Sequence, residues 1–397
     1  MSEMNGESSG RQVFLDYLRV AACLMVIVIH CTEPYYIGGD GRCQVACAAD
    51  AVWVSVFEMI CRCCVPLFVM TSAYLLFPVG RPTGEFFRRR LVRVGLPFVL
   101  WCVYYSLVYD SPLVRVLFNF PDAGGHLWFV PMLLGLYIVM PMLSPWAERV
   151  SERELRGWIW AWLATTLLPF ARKLSFVLFG DPAFGSVPYL WGEAAWNHFG
   201  TFYHISGFVG YLLLGLYFRR FGRSLSWGET LKRALPLLAV GMAGMSIGFY
   251  TRFGGKFPFD APYACVVDFE LTLEYCSTFV ALGVIGWFMV FRKFVRTGAF
   301  YRRLILPLSL ASYGTYLVHN DDSPDAPAAF QAESADARRR RLAGPDDFRL
   351  RVARLPRRPP HSARRLLAVR LKKAVVGRST PLRGIERPTT ASGHLGD

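Results

Sequence analysis

The stretch Arg11-Gln-Val-Phe-Leu-Asp16-Tyr-Leu-Arg19-Val-Ala-Ala-Cys-Leu-Met-Val-Ile-Val-Ile-His30 decides the fold. Between Val13 and Ile29 it is apolar except for Asp16 and Arg19, with none of the period-two alternation of a half-buried strand. A helix of that length crosses the ~30 Å hydrocarbon layer of a bilayer. In lipid only helices and closed barrels satisfy their backbone polar groups. Eight further runs resemble it, so nine spans are expected: Val13–Cys31, Ala51–Phe77, Leu91–Tyr109, His126–Pro145, Gly157–Phe179, Thr201–Phe218, Leu231–Tyr250, Ala264–Phe291 and Arg303–His319. The fifth is interrupted by Pro169, Arg172 and Lys173. The ladder predicts an all-α, polytopic membrane helix bundle.

Composition agrees. The 397 residues are 53% hydrophobic, 15% aromatic and only 18% charged; soluble domains carry about 25% charged residues. The net charge of +15 does not indicate a nucleic-acid protein, because most basic residues before residue 320 sit between the apolar spans. Alternate loops differ sharply, with 19 Lys and Arg in one set (around Arg88 to Arg93, Arg153, Arg219 and Arg302) against 6 in the other. The positive-inside rule then places the N-terminus in the cytoplasm. Residues 1–10 lack a basic n-region, so the first span is not expected to be a cleaved signal peptide.

After His319 the composition breaks. Residues 321–397 hold 17 Lys and Arg, with Phe330 and Phe348 the only aromatics and no Trp, Tyr or Cys. Two regions are expected, a membrane domain over 1–320 and a disordered basic Arg/Pro/Ala-rich tail over 321–397. The abruptness of the change is that of a shifted reading frame replacing a final helix.

Ionisable residues inside a span are costly and are candidates for function. Arg19 and His30, eleven residues apart, fall roughly 20° from the same helix face and about 16 Å apart along the axis. Asp16 is placed to pair with Arg19, and Glu58 with Arg62. His30, His126, His198, His204 and His319 all fall at or near one side of the predicted membrane, as a polar vestibule or an acid–base site would require; interfacial histidines bonded to loops are the plainer alternative. The basic run Arg88-Arg89-Arg90-Leu-Val-Arg93 offers guanidinium forks to phosphate, with Arg90 and Arg93 one turn apart. A positive-inside anchor explains the same run more plainly. Cys61 and Cys64 have CxxC spacing but no second pair, and no metal signature occurs.

Five segments in order carry a family resemblance: Arg11 to His30; Pro66-Leu-Phe-Val-Met-Thr-Ser-Ala-Tyr-Leu-Leu76, with Ala73 where Gly is usual; Phe86 to Pro97; His126-Leu-Trp128-Phe-Val-Pro-Met-Leu-Leu-Gly-Leu-Tyr137; and Ser312-Tyr-Gly-Thr-Tyr-Leu-Val-His319. Together they resemble membrane acyltransferase family 3. Phe208 to Tyr217 is similar to the branch containing the enterobacterial common antigen O-acetyltransferase. The resemblance implies a ten-helix enzyme of the bacterial inner membrane. It would take an acyl group, often acetyl, from acyl-CoA and pass it to a hydroxyl of a cell-envelope glycan or lipid-linked sugar. Membrane lipid is then a partner and nucleic acid is not.

On that reading His30 is the general base, a role suited to an imidazole near neutral pH. Glu33 orients it, and Arg19 holds the donor or neutralises developing charge. Arg89, Arg90 and Arg93 contact CoA phosphates. His126, Trp128 and His319 are expected to bind the acceptor, and no metal is required. A glycolipid transporter or flippase, or an inactive truncated family member, are the competing readings.

Overall fold

The computed structural model describes residues 11–37, 43–109, 111–119, 125–167, 170, 207–261 and 272–319. Helix α1 (Val13–Thr32) is followed by a 3-10 turn at Glu33–Tyr35, entered through Pro34. Next come α2 (Ala48–Cys61), α3 (Cys64–Leu76), α4 (Thr83–Arg90), α5 (Leu96–Val108) and α6 (Leu113–Asn119). A turn at Gly125–Trp128 leads into α7 (Phe129–Arg149), then α8 (Glu152–Thr165), α9 (Val209–Arg220), α10 (Trp227–Tyr250), α11 (Thr278–Phe291) and α12 (Leu306–Val318). Strand β1 (Cys43–Val45) pairs antiparallel with β2 (Phe259–Ala261).

The bundle is a polytopic membrane protein. Among the described residues, five stretches are long and apolar enough to cross a bilayer: Val13–Tyr35, Ala48–Leu76, Thr83–Val108, His126–Arg149 and Trp227–Phe253. Thr278–Phe291 is apolar but shorter. Leu24, Trp53, Leu91, Val92, Ile138, Met142, Val240 and Ile247 stand exposed around the outside, an apolar surface suited to lipid rather than water. Of the other expected spans, Gly157–Phe179, Thr201–Phe218 and Ala264–Phe291 are described only in part, and the tail lies outside the described residues.

Three departures from the expected spans have local causes. Ala51–Phe77 is two helices, interrupted at Arg62 and Cys63. Pro66 lacks the N–H that would bond the Arg62 carbonyl, and a proline is tolerated only in a helix's first turn. The other two are π-helical turns, Leu91–Gly95 before Pro97 and Tyr301–Ile305 before Pro307. Each is the turn whose carbonyls a following proline cannot engage. Within the first of these turns, Val94 O accepts the hydroxyl of Tyr313 at 2.7 Å.

Helix α1 occupies the centre, packed against α2, α3, α11 and α12. Small residues permit the closest crossings. A Cβ on Gly215 of α9 would lie 2.5 Å from the Cβ of Ala73 on α3. The Gly241-Met-Ala-Gly244 stretch of α10 packs on Phe279 and Gly283 of α11.

Basic residues close one end of the bundle by capping backbone carbonyls. Arg219 donates to Phe77 O beyond α3, Arg220 to Ala147 O near the end of α7, Arg292 to Gly222 O and Lys293 to Leu225 O. Cations at helix C-termini satisfy carbonyls that lack intrahelical partners and complement the helix dipole.

Candidate active site

At the basic end, Asp16 is buried and serves as a hub. Arg11 donates to both its oxygens at 2.7 Å, Tyr301 to Oδ2 at 2.7 Å and Ser309 to Oδ1 at 2.7 Å. This ties α1 to the π turn and first turn of α12. Arg19 meets Asp16 only at 3.5 Å, a marginal hydrogen bond, because Arg11 already occupies the carboxylate. Most of the Arg19 guanidinium is therefore available.

The buried Tyr137 of α7 lies within the electrostatic reach of Arg19. The Tyr137 hydroxyl also faces Ser72 of α3 and Arg90 of α4. The guanidinium of Arg90 lies 5.9 Å from the Phe86 ring centre and 6.0 Å from that of Tyr137, and its Nε is enclosed without a partner. Tyr137 thus contacts Arg90 and feels the charge of Arg19, 71 positions away from Arg90 in the chain.

Arg89 and Arg93 do not join them. Arg89 is exposed and paired with Glu85 at 2.6 Å. Arg93 is exposed because it lies within the π turn, whose wider winding swings it away from the face that Arg90 occupies. The expected one-turn alignment of Arg90 with Arg93 presumed an α-helix.

At the other end, three of the five histidines come together. His30 Nδ1 lies 2.9 Å from Glu33 Oε2. A carboxylate only accepts, so Nδ1 carries the proton and Nε2 presents a lone pair. The His319 ring centre is 4.9 Å from that of His30 and 4.9 Å from that of His126. His319 Nδ1–H donates to Tyr316 O at 2.7 Å, leaving Nε2 buried and, among the described residues, unpartnered. His126 Nε2–H faces Leu317 O and Tyr105 Oη, each at 3.4 Å, leaving Nδ1 buried and, among the described residues, unpartnered. Tyr316 donates to the His126 backbone oxygen and holds that loop against α12. His126 and His319 are each 3% exposed. A buried acceptor left without a donor costs about 1–3 kcal/mol, so these two nitrogens call for donors.

Beneath this cluster lies the expected Glu58–Arg62 pair. Thr32 donates to Glu58 at 2.8 Å, and Arg62 reaches Glu58 at 3.3 Å and Leu273 O at 2.7 Å. Arg62 also stacks 4.8 Å from the Tyr275 ring centre. Trp128 packs against that same tyrosine and Phe208, as part of the aromatic wall. His198 and His204 lie outside the described residues. Among the described residues no His, Cys, Asp or Glu cluster has the geometry to hold a metal ion.

The two clusters are joined by two helical paths. Arg19 and His30 are eleven residues apart on α1; His126 and Tyr137 are eleven apart, from the turn before α7 into that helix. The first spans about 16 Å, and the second, which begins in a 3-10 turn, about 18 Å. Sequence reasoning missed Tyr137, Tyr105 and Tyr316. The repeated spacing was the signal that singles out Tyr137; the other two declare themselves only through tertiary contact.

The model of an acyltransferase domain family matches residues 12–321. The match is to the family and does not favour the enterobacterial common antigen branch. No curated protein and no solved structure shows significant similarity to the chain.

Proposed function

The chain belongs to this acyltransferase family as an integral-membrane enzyme of the O-acyltransferase type, and from that premise we propose its donor, acceptor and base. The donor is acyl-CoA, taken as acetyl-CoA. The acceptor is a hydroxyl of a cell-envelope glycan or lipid-linked sugar, the base is His30, and the setting is a bacterial inner membrane.

The observation that carries the reading is the eleven-residue interval on α1, about 16 Å of helix, from Arg19 to His30 in the imidazole cluster. From its inner phosphorus to its thioester carbon, acyl-CoA has roughly fourteen covalent bonds in line. At the ~3.5 Å per three bonds of an extended chain, that is about 16 Å. A diphosphate on Arg19 and Arg90 therefore puts the thioester beside His30.

The chemistry follows from the tautomers. His30 Nε2 takes the proton of the acceptor hydroxyl, while Glu33 holds the imidazole and steadies the imidazolium that forms. The acceptor oxygen bonds to the thioester carbon and the C–S bond breaks. The proton passes from His30 to the departing sulfur, releasing thiol and ester. Family membership favours this enzyme over a glycolipid transporter.

The test uses proteoliposomes and envelope material from cells lacking the chain. Native protein should transfer label from acetyl-CoA far better than from acetyl-pantetheine, which lacks the diphosphate. Arg90→Ala should narrow that preference about tenfold, because the lost contact is with the diphosphate. An unchanged preference in Arg90→Ala contradicts the placement of the donor.

A further inference from the structure

His30 is one of three imidazoles in which one nitrogen is committed to a protein oxygen and the other is an acceptor. In His319 and His126 that acceptor is buried and has no donor among the described residues. An isolated alcohol satisfies only one such nitrogen, because its single O–H is given to His30. The lone pair on His319 Nε2 would remain unmatched in a buried position. A metal does not resolve this among the described residues. A second O–H does.

We propose that the enzyme reads its acceptor as a pair of neighbouring hydroxyls, one reacting on His30 and the other donating to His319 Nε2. The proposal rests on the acyl-transfer reading above and narrows its acceptor to a diol-bearing sugar or polyol. Hydroxyl oxygens on adjacent carbons lie roughly 3 Å apart, and each reaches a nitrogen over a similar distance. Such a pair bridges two rings whose centres are 4.9 Å apart. His126 stands behind His319 at the same spacing and backs the seat with a second acceptor. A water molecule offers the same O–H chemistry, so the test separates the two sources.

Full-length protein in proteoliposomes is supplied with [14C]acetyl-CoA and envelope from cells lacking the chain. The labelled product is then held in mild base. An ester beside a free hydroxyl migrates to it and yields a second labelled positional isomer, whereas an isolated ester only hydrolyses. Two isomers are expected; hydrolysis without migration overturns the proposal.

His319→Phe should raise the acceptor KM about tenfold with kcat within about threefold, since a built hydrogen bond is lost from recognition. His319→Gln, whose amide oxygen still accepts, should restore most of the affinity and guards against a folding artefact. If His319→Phe leaves acceptor KM unchanged and alters only release of labelled acetate, the seat holds water and the proposal fails. Absent or His30-independent label overturns the acyl-transfer reading itself, and this inference with it. His30-dependent label without migration overturns this inference alone.

Discussion

Asp16→Asn is the sharpest test of how the bundle is tied together. Oδ1 receives Arg11 and Ser309 at 2.7 Å, with Arg19 at 3.5 Å; Oδ2 receives Arg11 and Tyr301 at 2.7 Å. An asparagine amide replaces one oxygen by NH2, so the Arg11 bond on that side faces a donor and is lost, while the hydroxyl there must turn to accept. Hydrogen bonds to a charged acceptor contribute about 1.5–3 kcal/mol each against about 0.5–1.5 for neutral ones, so losing one and neutralising the others costs about 3–6 kcal/mol. The Arg11 side chain is 41% exposed and regains water, which removes part of that. About 2–4 kcal/mol of destabilisation remains, a roughly 30- to 700-fold change in the folding equilibrium. Detergent-titrated unfolding followed by tryptophan fluorescence measures it directly. Tyr301→Phe alone should cost about 1 kcal/mol and should be non-additive with Asp16→Asn, as expected for groups in one network. Glu85→Gln, at the exposed Arg81–Glu85–Arg89 cluster, is the control and should stay within about 1 kcal/mol. An Asp16→Asn protein within about 0.5 kcal/mol of native would refute the hub.

Other consequences are smaller in scope. Glu33→Gln should lower kcat about 10- to 100-fold with little change in donor affinity, since it orients the imidazole rather than contacting the donor; a purely altered KM contradicts that role. Arg90→Ala should weaken acetyl-CoA binding about tenfold by equilibrium dialysis and Arg93→Ala by less than about twofold, because only Arg90 turns inward. Gly215→Ala should destabilise the bundle by about 1–3 kcal/mol, its Cβ meeting Ala73 at 2.5 Å and Met70 O at 3.0 Å. Gly157→Ala, with nothing within 4 Å of its Cβ, should stabilise α8 by up to about 1 kcal/mol in the same unfolding assay.

Much of the fold is legible in the apolar runs, because lipid imposes one requirement on every span. The Arg19/His30 stripe is legible too, since a single helix fixes that relation. What escapes is whatever depends on a second element or on backbone detail. Pro66, Pro97 and Pro307 are visible in the sequence, yet whether each breaks its helix, as at Arg62, or is met by a π turn is a detail of backbone winding that an apolar run does not record. Arg93 therefore leaves the face shared with Arg90. His126 and His319, lying 193 positions apart, come within ring contact only because Tyr105 and Tyr316 pin the loop before α7 to α12. Arg11 rather than Arg19 takes the Asp16 carboxylate, although the i,i+3 spacing favours Arg19. Arg11 precedes the N-cap Gln12 and from outside the helix meets both oxygens.

The proposed transfer chemistry runs through His30. Native protein and His30→Gln, reconstituted at equal density, should be compared for initial rates of [14C]acetyl transfer from acetyl-CoA to envelope acceptor, with acetyl-CoA binding measured alongside. Loss of a general base predicts a fall of roughly 10²- to 10⁴-fold in rate with donor binding within about twofold of native. Transfer by His30→Gln at a rate near native would contradict the assignment of the base and the chemistry built on it.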